Sequence, residues 1–392
     1  MMSDIPTLAE TEPDVRDQLE NLTIELSSGV AEQAARPMGF PGAPRDPYER
    51  IADAAQINAF TGIAPRVSLH LPWDRVDDVV GLQEFANEHG VRIGIITSSI
   101  SLTTAHRLGS LCHPDADVRA EVVEEHLRAV ELMRAIGSKE LKLRMGDGLR
   151  YPGQDSLRDR QERLADSLDA IYTRLEPDER LLLEYHTAGL GCYASDVPDW
   201  GTALAQCVSL GHQAFVVLDL GRQAVGANVE FIAMQLLRAG RLGGIDFTAR
   251  CRDVGLVAGM ADPFQTFRVM NELVDADALA PWGRGEDEVW SVDLMVGQGH
   301  PMENPVAGGI RSVMNVQEAV AQALLVDRPA LADAQLNGDV LGACQILTDS
   351  FSADVRPLLA EIREARGLDP DPLAAFDRSG YWARMTAERG GE

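Results

Sequence analysis

RLLLEYH (180–186), AFVVLDL (214–220) and GGIDFTA (243–249) are short apolar runs of strand length, and each carries a carboxylate after several apolar residues. Runs this rich in Val, Ile and Leu suit strands buried on both faces. Similar runs lie on either side of them: TIELSSG (23–29), RVSLHLP (66–72), VRIGIIT (91–97), KELKLRM (139–145) and VWSVDLM (289–295). Helical patterns separate several of these. VRAEVVEEHLRAVELMRAIG (118–137) has apolar residues at helical spacing and ends in a stop glycine; SLRDRQERLADSLDAIYTRL (156–175) and VEFIAMQLLRAG (229–240) read the same way. Eight strands with intervening helices predict an α/β fold, a parallel (β/α)8 TIM barrel. A doubly wound sheet is the competitor, but no G-x-G-x-x-G follows a run, which lowers the dinucleotide-binding version.

The barrel is expected over residues 21–310, after a flexible segment at 1–20. Beyond 310 the pattern turns helical, through VQEAVAQALLVD, VRPLLAEIREARG and SGYWARMTAERG. Residues 311–392 therefore read as a helical extension that packs on the barrel or on a neighbouring subunit, with Tyr381 and Trp382 as anchors. AVAQALLV (319–326) is too apolar to be left in water, so a homotetramer or homodimer is expected.

The 392 residues include 35 Lys plus Arg and 61 Asp plus Glu, a formal charge of −26. That balance disfavours nucleic acid and anionic membranes, both polyanions. No run approaches 18 apolar residues and no apolar leader opens the chain, so a cytoplasmic protein is expected. Five scattered cysteines suggest neither a zinc knuckle nor a disulfide framework. Only two lysines occur, Lys139 and Lys142. Lys142 alone is placed for imine chemistry; an inner-layer ion pair with Glu184 or Asp219 is the plainer reading.

A (β/α)8 barrel carries its chemistry at the C-terminal strand ends. Polar residues read there are Ser28, His70, Ser98 or Ser99, Lys142 with Arg144, Glu184 with His186, Asp219, Asp246 and Asp293. Lys142 and Arg144 share a face by strand alternation, as do Glu184 and His186. Glu184, Asp219, Asp246 and Asp293 are expected to converge at one mouth. Four carboxylates that close repel unless a cation neutralises them, either a divalent metal or basic side chains.

At these residues the chain resembles the L-rhamnose isomerases of the broad-specificity bacterial type, within the xylose-isomerase-like barrels. The resemblance runs from about residue 20 to the C-terminus. It rests on SLHLPWD (68–74), GSLCHPDADVRAEVVEEHL (109–127), GDGLRYPGQ (146–154), LDLG (218–221), RLGGIDF (241–247), NELVDA (271–276), AQALLVDRPAL (321–331) and SGYWARMTAER (379–389). It implies a metal-dependent aldose–ketose isomerase acting on a carbohydrate. It puts the first metal on Glu184, Asp219, Asp246 and Asp293, where Asp246 replaces a His of the family. One divalent metal, Mn²⁺, Mg²⁺ or Co²⁺, is expected there; a metal-independent pocket is the alternative. The second, catalytic metal loses its ligands, because Arg222 stands at a His position and Val254 and Leu256 at Asp positions.

Other family positions differ too. Ser28 and Arg144 replace tryptophans, Ile100 a phenylalanine and Lys142 a threonine, whereas His70, a sugar contact in the family, is kept. Substrate is thus expected against His70, Arg144, Lys142, Ile100 and Ser28. Without a second metal, proton transfer through an enediol replaces a hydride shift. Glu184, His186 or Asp293 is then the base, His70 a further catalytic candidate and Arg222 the oxyanion partner. A lyase, dehydratase or aldolase on the same barrel, or a non-catalytic relative, are the other readings. Among weaker candidates, His113 is expected to cap a turn, His300 to lie exposed on a glycine-rich loop, and Trp73 to pack.

Overall fold

All eight runs form strands: β1 (Glu25–Ser27), β2 (Arg66–Leu71), β3 (Arg92–Ser98), β4 (Glu140–Arg144), β5 (Arg180–Glu184), β6 (Ala214–Asp219), β7 (Leu242–Asp246) and β8 (Asp293–Val296). They pair in parallel and in chain order, and β1 pairs with β8 to close the barrel. The structure, a computed structural model, describes residues 13–28, 42–99, 103–187, 193–248, 262–279, 291–297 and 304–390. Ile100, Val254, Leu256 and His300 lie outside the described residues.

Helix α1 (Pro13–Glu20) precedes the barrel. A helix follows each strand: α2 (Pro47–Thr61), α3 (Val79–Glu88), α4 (Ala116–Ala135), α5 (Leu157–Tyr172), α6 (Trp200–Leu210), α7 (Val229–Arg238), α8 (Pro263–Asp275) and α9 (Pro305–Leu324). Every one of these eight starts at an Asp, Ser or Asn whose side chain accepts from a first-turn N–H: Asp46, Asp78, Asp115, Ser156, Asp199, Asn228, Asp262 and Asn304. Each such cap stabilises its helix by about 1 kcal/mol and marks where the loop from the strand must end.

Two sequence boundaries shift. Residues 13–20 are helical, with Leu19 fully buried, so the segment before residue 20 is partly built into the fold. Residue 310 lies inside α9, which packs on α2 and α8 and completes the helical ring. The extension proper is α10 (Arg328–Leu336), α11 (Val340–Phe351), α12 (Arg356–Ala365), α13 (Pro372–Ser379) and α14 (Tyr381–Arg389). Its end is tied to α2. The Tyr381 hydroxyl donates to Asp53 Oδ1 at 2.6 Å and Arg389 donates to both Asp53 oxygens. No described helix is long and apolar enough to cross a membrane.

Strand β5 shows how the barrel is filled. Leu181 and Leu183 join the large core shared with the helices, whereas Leu182 belongs to an inner cluster with Ile95, Phe215, Val217 and Met295. Arg180 and Glu184 are the same-face neighbours of Leu182, one pleat below and one above. The inner cluster thus separates an ionic floor at the strand starts from an ionic mouth at the strand ends. Gly243 is part of this packing: a Cβ there would meet Leu182 Cδ2 and Phe215 Cβ at 2.6 Å.

Candidate active site

Lys142 and Arg144 of β4 and Glu184 of β5 meet at the C-terminal end of the barrel. Lys142 Nζ lies 3.2 Å from Glu184 Oε2 and 3.8 Å from Asp246 Oδ2. Arg144 Nε lies 3.3 Å from Glu184 Oε1. Arg222, just past β6, places Nε 2.7 Å from Asp219 Oδ2 and 3.9 Å from Glu184 Oε1. Asp219 Oδ1 accepts from the N–H groups of Gly221 and Arg222 at 2.9 and 3.2 Å and from the Thr248 hydroxyl. His186 Nε2 accepts from Arg222, and its backbone N–H donates to Val197 O at 3.0 Å. Lys142 is therefore an inner-layer ion-pair partner, of Glu184 and Asp246 rather than Asp219.

His70 lines the opposite wall. Its Nε2 lies 2.7 Å from Ser99 Oγ, and Trp73 stacks edge-on against its ring, 4.8 Å between centroids. Asp74 holds the turn that carries it, accepting from the His70 N–H and from Arg50 Nε, both at 2.7 Å. Ser28 is buried. His113 is buried and its Nδ1 accepts from the Asp115 N–H, the turn-capping role expected of it.

The charges have a clear electrostatic direction. Burial pushes the Glu184 carboxyl up, but Lys142 and Arg144 outweigh it and hold it below the usual carboxylate range. Burial lowers the Lys142 ammonium, yet Glu184 and Asp246 raise it above an ordinary lysine. A lysine held that firmly protonated is poorly suited to attack a carbonyl as an amine. Burial, Arg144 and Lys142 keep His70 well below its ordinary value, hence neutral.

Asp293 does not belong to this group. It opens β8 and pairs in register with Gly244, whereas Met295 pairs with Asp246. Its ion pairs with Arg66 and Arg180 put Asp293 at the opposite end. The sequence held a signal: the acid closes the runs LLLE, VVLD and GGID, but DLMV continues apolar after it. At the floor Asp293 joins Glu25, Arg66, Glu140 and Arg180, all first residues of their strands. Arg66 lies 2.7 Å from Glu25 Oε2 and 3.1 Å from Asp293 Oδ1, and it also binds Glu140. Arg180 binds Glu140 and Asp293, and donates to Ser291 O at 2.8 Å. Sequence reading missed this network, although a charged residue opens or precedes several of the runs.

Among the described residues, one acidic triad has ligand oxygens within 4.8 Å of one another: Glu25, Glu140 and Asp293 of the floor. Guanidinium groups of Arg66 and Arg180 already occupy their carboxylates. At the mouth, Glu184, Asp219 and Asp246 form no such convergent group, and Lys142 lies between two of them. In both sets the acids are already paired with Arg or Lys side chains.

Two curated relatives match nearly the whole chain. One is a probable sugar isomerase from Rhizobium meliloti, 37% identical over 89% of this chain and 81% of its own length. The other is a probable sugar isomerase from Mesorhizobium japonicum, 36% identical over 96% and 88%. The chain belongs to their family, that of the probable sugar isomerases. No family model matches it. Among solved structures, an L-ribulose 3-epimerase superposes with a TM-score of 0.55 at 14% identity, covering 81% of this chain and 98% of that one. A xylose isomerase domain protein from Alicyclobacillus acidocaldarius gives 0.54 at 10% identity, covering 77% and 99%. These likenesses show that the fold is a xylose-isomerase-like barrel.

Proposed function

We propose that the protein isomerises or epimerises a monosaccharide or small sugar derivative at the mouth of the barrel, by proton transfer through an enediol. The observation that carries this is Glu184: a buried carboxylate held ionised by Lys142 and Arg144, at the end of the barrel where this fold places its chemistry. Membership of the sugar isomerase family supports a sugar substrate.

In this reading Glu184, or His186 beside Arg222, takes the proton from the carbon next to the substrate carbonyl. The negative charge then developing on oxygen is met by a guanidinium, from Arg222 or Arg144. A guanidinium supplies fixed positive charge and two directed donors, which suits an enediolate. Neutral His70 contacts a sugar hydroxyl. Arg222 stands where the resemblance puts a ligand of the second metal, so loss of that site is part of the proposal. Asp293 has no role in it.

The test is incubation of the protein with a panel of aldoses and ketoses in D₂O, read by NMR. Solvent deuterium at the carbon next to the carbonyl of the product is the expected result. Product formed without deuterium from solvent overturns proton transfer in favour of a hydride shift. No turnover of any sugar overturns the substrate class. The same proposal includes a homotetramer or homodimer, supported by the exposed Leu336, Val340 and Leu341 at the turn between α10 and α11. A solution mass near the 42.6 kDa of one chain would refute it.

A further inference from the structure

We propose that the Lys142 ammonium occupies the place a divalent cation would need in this barrel, so that the chain itself supplies the cationic charge of the pocket. The inference deepens the reading of the mouth as a reaction site, but its metal arm does not depend on which reaction runs there.

Three observations carry it. The first is position. A hard divalent ion needs several carboxylate oxygens about 2.0–2.6 Å from one point. Glu184 on β5 and Asp246 on β7 are the acids such a point would lie between, and Lys142 Nζ is there, 3.2 and 3.8 Å from their oxygens. The second is occupancy. Glu184 Oε1 faces Arg144 and Arg222, Asp219 Oδ2 takes Arg222, and Asp219 Oδ1 takes two backbone N–H groups and a hydroxyl. A metal would have to break these bonds to reach the oxygens. The third is charge. Among the described residues named at the mouth, Lys142, Arg144 and Arg222 already face Glu184, Asp219 and Asp246. A divalent ion would add positive charge to a buried pocket whose acids are already paired, which is unfavourable.

An ammonium and a metal differ in what they can do. Lys142 offers fixed charge and three N–H donors. It does not offer the Lewis acidity by which a metal polarises a carbonyl or acidifies water. The pocket is thus built to stabilise charge rather than to coordinate it, consistent with enediol chemistry assisted by guanidinium groups.

The experiment is a Mn²⁺ titration of the full-length, chelator-treated protein, followed by the paramagnetic resonance of free Mn²⁺ and by thermal melting. Wild type is expected to show no saturable uptake at millimolar MnCl₂ and no change of Tm with EDTA. The double variant Lys142→Thr with Arg222→His removes two cations and adds an imidazole beside the three acids. It is expected to gain saturable Mn²⁺ uptake and a Tm that rises with Mn²⁺, both lost when Glu184→Gln is added. Lys142→Met, uncharged and of similar length, serves as a second variant should the double one not fold. Wild-type Mn²⁺ uptake that Glu184→Gln removes overturns the proposal. So does a folded variant lacking Lys142 that binds no more Mn²⁺ than wild type. Failure of every sugar to react would refute the functional reading and leave the metal result standing.

Discussion

The two ends of the barrel are built from the same residue types to different purpose. At the floor, two arginines hold three acids across strand starts; at the mouth, three cations face three acids across strand ends. The floor lies beneath the apolar cluster of Ile95, Leu182, Phe215, Val217 and Met295, and no histidine is among its five residues. Gly94 gives it room: a Cβ there would meet the Glu25 carboxylate at 2.6 Å. The mouth adds His186 against Arg222, with His70 within the field of Lys142 and Arg144. Charge clusters of one kind therefore stand at both ends, and under the proposed function only the one at the strand ends carries chemistry.

Substitutions at the two ends should separate stability from turnover. Glu184→Gln has the largest expected effect. As loss of a general base it should cut sugar turnover by about 10²–10⁴-fold. Steady-state kinetics on the folded fraction check this, with a urea melt beside them because the change also leaves buried Lys142 without its nearest acid; normal turnover of the folded variant would reverse the assignment of the two ends. Arg180→Met is the complementary change at the floor. Removing one partner of a buried ionic network should cost about 3–5 kcal/mol of unfolding free energy. The folded fraction should keep its turnover, measured beside the denaturation curve.

The barrel wall and the floor also differ in pH response. Burial alone pushes His126 of α4 down to about 4, where its Nδ1 pairs with Ser98 Oγ at 2.7 Å. The unfolded chain then binds the extra proton first, so stability is lost as pH falls from about 6.5 to 4, by on the order of 3 kcal/mol. His126→Asn should flatten that limb relative to wild type. Glu25 tilts the other way. Burial, opposed by Arg66 and reinforced by Asp293 and Glu140, pushes its carboxyl up to about 7. Its contribution is fully present below the unfolded value of 4.5 and is lost as pH rises through about 7. Glu25→Gln should lessen that loss by about 1–3 kcal/mol, the smallest of the four effects. Stability curves across pH that move in the same direction for both variants would contradict the opposed environments described for the two groups.

Much of the architecture was legible because it is written locally. Each run such as RLLLE sets a strand by composition, and each Asp, Ser or Asn ahead of a helical pattern sets a helix start. Alternation likewise places Lys142 with Arg144 and Arg180 with Glu184 on one face, so the mouth cations and Glu184, Asp219 and Asp246 could be named from sequence. What the strands do to each other is not local. The end of the barrel to which Asp293 belongs depends on how β8 registers against its neighbours β7 and β1, which no local pattern sets. The pairing of Arg66 with Asp293 spans 227 residues, and the Lys142 ammonium meets acids carried on two other strands. The sequence by itself determined a barrel with a charged mouth, because periodicity and capping act within a few residues. Only the tertiary structure decided that a lysine sits between the mouth acids and that the fourth acid lies at the floor, because closure and register bring distant residues to one point.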